Sequence, residues 1–157
     1  MITKMSHTSL FVLDQEKAYD FYVNKLGFKV HTDVVMTDNN CEDGASASKD
    51  TAAEGYRWLT LNPPDQPDLE IILMPIQGFD PESQHAIRLL LEKGLLGAGV
   101  LYTSDCRGTY EELKAKGVEF KSPPREQFYG IECIITDGCG NWFSMTEPKV
   151  VDEPAAV

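Results

Sequence analysis

Imidazole and thiol side chains, the most versatile in acid–base, nucleophilic and metal chemistry, are few in this 157-residue chain: three histidines, His7, His31 and His85, and four cysteines, Cys41, Cys106, Cys133 and Cys139, beside 25 aspartates and glutamates. The cysteines have neither CxxC spacing nor the density of a disulfide scaffold, so reduced thiols and a cytoplasmic setting are expected, and a zinc ribbon is not. Cys133 and Cys139 flank a short turn, but strand cysteines are commonly small buried hydrophobes. His31 and His85 read as surface or packing residues. His7 heads a strand that alternates, with His7, Ser9 and Phe11 on one face and Thr8, Leu10 and Val12 on the other. A formal charge of −11 argues against a phosphate-tracking surface; it reads first as simple solubility and, functionally, as a field that favours cationic ligands.

The elements that must position these groups occur twice. Leu10-Phe11-Val12-Leu13-Asp14 leads into Ala18-Tyr19 and stops at Gly27; Leu101-Tyr102-Thr103-Ser104-Asp105 leads into Thr109-Tyr110 and stops at Gly117. Asp14 and Asp105, like Tyr19 and Tyr110, stand 91 positions apart. Each aspartate is placed to cap a helix and each glycine to end it. Strand-like runs follow at 28–36, 56–61 and 69–74, and again at 118–120, 131–136 and 142–146, the last pair joined by Asp137-Gly138-Cys139-Gly140. Two copies are too few for a solenoid and are expected to close one core. The spacing predicts two βαβββ modules, at about 5–75 and 98–148, in a single domain spanning the chain. Between them Asp80-Pro81 opens a linker helix at about 80–94, with Ile87, Leu90 and Leu91 as its stripe and Gly94 as its stop. Residues 38–55 are polar and acidic and read as a long mobile hairpin loop, tolerated or serving as a lid. No apolar run is long enough to span a bilayer, and the first residues lack the marks of a secretory signal.

Paired modules of this kind, with SHTSLFVLD (6–14), FYVNKLGF (21–28), PPREQFYGIE (123–132) and GNWFSMTEP (140–148), resemble the glyoxalase/bleomycin-resistance/extradiol dioxygenase (vicinal oxygen chelate) superfamily over nearly the whole chain. The resemblance implies an α+β fold in which the two modules form a curved, half-open mixed sheet around a ligand cup. It also implies a metal position served by the first and fourth strands of each module. His7 and Glu70 match that set in the first module and would suit zinc, nickel, manganese or iron. In the second module the matching positions are Gly99, or Ala98 by strict repeat register, and Ser144. Glu147 is expected on the opposite face, and Glu132 on the neighbouring strand is a candidate substitute. Two ligands do not make a site, so no resident cofactor is assigned.

Alternation places Phe11, Ile72, Met74, Leu101 and Trp142 on the faces of His7, Glu70, Gly99 and Ser144, which gives an aromatic and aliphatic cup, with Phe128 and Tyr129 at its rim. Two functions follow. The favoured one is a metal-free protein that binds a small aromatic or cationic molecule, as the bleomycin-resistance branch does. The alternative is a divalent-metal-dependent glyoxalase-like lyase, or a related enzyme, using His7 and Glu70. A small-molecule ligand and a homodimer are the expected partners, with neither nucleic acid nor membrane.

Overall fold

The computed structural model describes residues 1–36 and 55–149, so that of the 38–55 segment only Gly55 lies within the described residues. The first module runs β1 (His7–Val12), α1 (Gln15–Tyr19), a π-helix (Asp20–Lys25), β2 (Lys29–Met36), β3 (Tyr56–Asn62) and β4 (Glu70–Pro75). A linker helix, α2 (Pro81–Glu92), follows, and the second module runs β5 (Leu96–Tyr102), α3 (Cys106–Ala115), β6 (Phe120–Gln127), β7 (Gly130–Thr136) and β8 (Asn141–Pro148). Each module folds into a four-stranded mixed sheet, in the orders β1-β4-β3-β2 and β5-β8-β7-β6, with β1 parallel to β4 and β5 parallel to β8. This is the α+β fold that the repeat implies. Among the described residues no helix is long and apolar enough to cross a membrane.

The caps work as their spacing predicts. Asp14 accepts from the backbone N–H of Glu16 and Lys17, Asp105 from that of Gly108, and Asp80 from those of Glu82 and Ser83 with Pro81 in the first turn. Such caps contribute about 0.5–2 kcal/mol each. The first module's helix departs from expectation: after five α residues it widens into a π-helix, where the Leu26 N–H reaches back to the Phe21 carbonyl. Phe21 and Tyr22 are both buried there, with their rings edge to face at 4.9 Å. Strand β6 is longer than its apolar pattern suggested and includes Pro123 and Pro124. Those prolines are tolerated because β6 is an edge strand, where a missing N–H breaks no inner ladder.

The core lies on the helical sides of the two sheets. Leu10, Val12, Leu59, Leu61 and Leu73 from the first sheet pack in one cluster with Cys133, Ile135, Phe143 and Met145 from the second. A polar hub joins the modules at this seam. The buried Asp137 carboxylate accepts from the Tyr22 hydroxyl at 3.0 Å, from the Asn141 side chain at 2.7 Å and from the backbone N–H of Cys139 and Asn141. Asn141 also donates to the Phe11 carbonyl at 2.9 Å. Burial, and then the charge of Asp137, push the Tyr22 phenol well above its usual value, so it stays protonated and donating.

Candidate functional site

The sheet faces turned away from the helices carry the candidate side chains. Parallel pairing of His7 with Glu70, Ser9 with Ile72 and Phe11 with Met74 sets these six residues on one face, opposite Leu10, Val12 and Leu73. The Glu70 carboxylate is the centre of this face. His7 Nε2 lies 3.3 Å from Oε1, His31 Nδ1 lies 3.2 Å from Oε2, and the Thr60 hydroxyl donates to Oε2 at 2.8 Å. His7 Nδ1 is 3.0 Å from the Ser6 hydroxyl. His31, read from the sequence as a surface or packing residue, is half exposed and stands in the same polar group. A register irregularity between Val30 and Thr32 interrupts the alternation of β2 at His31, and single-strand patterning did not reveal it.

Aromatic residues enlarge the same face. Phe11 meets Phe79 edge to face at 5.7 Å, and Tyr56 lies 6.4 Å from Trp58. By alternation along β3, Tyr56 and Trp58 share the side of Thr60, while Leu59 and Leu61 go to the core. Sequence reasoning missed Tyr56, Trp58 and Phe79; the period-two pattern of β3, once anchored at Thr60, is the signal that finds the first two.

On the second sheet, pairing of Glu132 with Thr146, Ile134 with Ser144 and Thr136 with Trp142 fixes the facing of Glu132, which the sequence left open. Ser144 donates through a short hydrogen bond to Glu132 Oε1, Tyr129 donates to Oε2 at 2.8 Å, and the Ser144 and Thr146 hydroxyls are 2.8 Å apart. The bond to Glu132 raises the Tyr129 phenol. Arg125 pairs with Glu132 across the ladder. Phe128 is 89% exposed and meets Tyr129 edge to face at 4.9 Å, at the β6–β7 turn. Glu147 points to the helical side, where it accepts from the Cys106 N–H.

Two readings are corrected by strand register. Leu101 was expected in the cup, but it pairs with the core residue Met145 and packs against the core. A bulge between Gly97 and Gly99 shifts the alternation by one, so Gly99, also expected on the cup face, pairs with the core residue Phe143, and Val100 and Tyr102 take the cup-facing side, 59% and 79% exposed. The second correction concerns the counterpart of Glu70. Leu10 and Leu101 both stand four residues before a capping aspartate, and they pair with Leu73 and Met145. Glu70, three before Leu73, thus corresponds to Trp142, and Ser144 corresponds to Ile72. Trp142 presses on Gly97, where a Cβ would sit 2.8 Å from the indole, and Lys121 lies over its ring at 5.8 Å.

A resident divalent ion does not fit this donor set. An indole stands in Glu70's place in the second module, the bulged Gly97, Ala98 and Gly99 stand in His7's place, and none of these four coordinates a metal through its side chain. His7 and His31 aim their nitrogens at the Glu70 carboxylate rather than at a shared point beside it, and among the described residues no group of three His, Cys, Asp or Glu is arranged to hold an ion. The buried thiols are no substitute: Cys133 and Cys139 are each pushed up to about 12, mainly by burial. The structure thus assembles two polar centres, one around Glu70 and one around Glu132, and no hydrogen bond or ion pair among the described residues joins them. A cavity of about 480 Å³ lies elsewhere, at the module seam between Lys17, Asp20, Phe21, Val118 and Glu119, and none of the expected site residues lines it.

Residues 4–145 match the family model described as the Glyoxalase/Bleomycin resistance protein/Dioxygenase superfamily. The chain is 30% identical over 145 residues to the uncharacterized protein YurT of Bacillus subtilis (strain 168), covering 92% of this chain and 98% of that one. The crystal structure of UcmS2 is similar with a TM-score of 0.79 and 35% identity, covering 94% of this chain and 99% of the other. That of TnmS3, an antibiotic binding protein from Streptomyces sp. CB03234, is similar with a TM-score of 0.65 and 26% identity, over 94% and 98%.

Proposed function

Since the chain belongs to the glyoxalase/bleomycin resistance protein/dioxygenase superfamily, we propose that it binds a small aromatic or cationic molecule in a cup lined by its two exposed sheet faces, without a resident metal. One observation carries this reading: Trp142, seated against Gly97, replaces the second module's carboxylate ligand with an aromatic wall. Phe11, Trp58, Tyr56, Ile72 and Met74 supply the opposing apolar surface, which is the lining expected of a ligand site with few oriented polar groups. The similarity to TnmS3, an antibiotic binding protein, supports capture rather than turnover.

The cup is completed in a homodimer within a cytoplasmic setting. In each chain β1 and β5 are edge strands, and β5 exposes Val100 and Tyr102. Pairing the edge of one copy with that of a second would set the Glu70 face of one module against the Glu132 face of another and remove both open edges. The chain is one domain in this reading, its two modules sharing the core cluster and the Asp137 hub. The lyase alternative keeps one observation in its favour, the imidazole–carboxylate–imidazole group of His7, Glu70 and His31.

The experiment is fluorescence titration of the protein with planar aromatic antibiotics, in the presence and absence of EDTA. Saturable binding unaffected by EDTA and weakened about tenfold or more by Phe11→Ala or Trp58→Ala is the expected result. Chelator-sensitive turnover that disappears in Glu70→Gln would instead establish the enzyme.

A further inference from the structure

We propose that Glu70 is the receptor for a primary ammonium group carried on the aromatic ligand, with His7 and His31 as its flanking guides. This deepens the cup reading and rests on it. A carboxylate offers about four acceptor directions. In Glu70 the Thr60 hydroxyl donates to Oε2, where His31 Nδ1, itself 3.1 Å from the Thr32 hydroxyl, also lies at 3.2 Å, while Oε1 has His7 Nε2 beside it at 3.3 Å and keeps a direction free. That oxygen is partly open, because the Glu70 side chain retains 17% of its exposure and the adjoining imidazoles nearly half of theirs.

No lysine or arginine is ion-paired with Glu70 among the described residues; its partners are imidazoles, which carry charge only when protonated. The nearest lysine–aspartate pair before these strands, Lys4 with Asp68, is closed on itself at 3.1 Å. Glu70 therefore presents a negative charge without a permanent counter-ion, on a face that also carries the apolar Phe11, Ile72, Met74 and Trp58. An ammonium fits this place. One N–H reaches the free side of Oε1, and the other two remain directed to solvent at the open mouth of the group. Glu132 lacks this character, since Ser144 and Tyr129 donate to it and Arg125 is its cross-strand neighbour. The protein's net charge of −11 adds long-range attraction for a cation.

The test uses dansylcadaverine, an aromatic fluorophore with a primary ammonium, and its neutral N-acetyl derivative, titrated into the protein at pH 8 with EDTA present. The aromatic body reports the cup, and the difference between the two probes reports Glu70. The expected result is that dansylcadaverine binds about tenfold tighter than the acetylated probe, as one charge-assisted hydrogen bond provides. The difference should vanish in Glu70→Gln while the acetylated probe keeps its affinity. Glu111→Gln, on the exposed side of α3, makes the same charge change away from the site and should retain the preference. Equal binding of both probes to the unaltered protein overturns the ammonium assignment and leaves the cup standing. A preference lost equally in Glu111→Gln assigns it to the overall field and also overturns it. A preference that appears only when EDTA is replaced by zinc overturns it in favour of a metal. If neither probe binds, the cup reading fails and this inference with it.

Discussion

Trp142 packs against Gly97 across the parallel β5–β8 pair, so closely that a methyl group at position 97 would meet the indole at 2.8 Å. The contact lies at the edge of the β5 bulge, in the stretch where the first module has His7. Gly97→Ala should destabilise the protein by about 1–3 kcal/mol through overpacking. Combining it with Trp142→Ala should recover most of that loss. Urea unfolding of the two single variants and the double variant gives the coupling, and additive effects would mean that the contact is not the cause.

The seam between modules depends on Tyr22 and Asp137. Tyr22→Phe removes one donor from a buried carboxylate that keeps its other partners, Asn141 and two backbone N–H groups. A loss of about 1–3 kcal/mol is expected, with one cooperative unfolding transition for both modules. Two transitions in the unaltered protein would show that the modules are independent units.

Cys133 and Cys139 should not react with a thiol reagent at pH 8 in the folded state. Burial pushes each thiol up to about 12, and Cys106 is raised for the same reason, so thiolate is scarce and access closed. In a Cys41→Ser background, Ellman titration should find less than one reactive thiol per folded chain and three in guanidinium chloride. Rapid modification without denaturant would contradict the packing of α3 against β7 and β8.

Acid should loosen the first sheet through Asp33. Its carboxyl is held below the usual range, chiefly by the hydrogen bonds of Arg57, which bridges β3 to β2 at 2.7 and 2.8 Å and also pairs with Glu16 on α1. A depressed carboxylate contributes stability above its unfolded value of about 3.9, and that contribution disappears as pH falls through the folded value. The pair is partly exposed, so the effect should stay below about 1 kcal/mol. Melting temperatures between pH 6 and pH 2 should therefore fall less steeply in Asp33→Asn than in the unaltered protein, and parallel curves would exclude the contribution.

What the chain determines locally was legible in it. Asp14, Asp80 and Asp105 cap the helices they precede, since a capping side chain needs only N–H groups within three residues. The repeat of cap, helix and glycine stop likewise announces two βαβββ modules without reference to any distant contact. The facing of the strands is a different matter, because it depends on pairing. Bulges between Gly97 and Gly99 and between Val30 and Thr32 send Leu101 to the core and bring His31 to Glu70. A one-residue slip reverses every later side chain, and only the partner strand specifies where it occurs. The His7–Glu70 pairing was visible as two residue types, but the group they form was decided by tertiary structure. The same holds for Trp142, whose correspondence to Glu70 emerges only when both ladders are counted from Asp14 and Asp105.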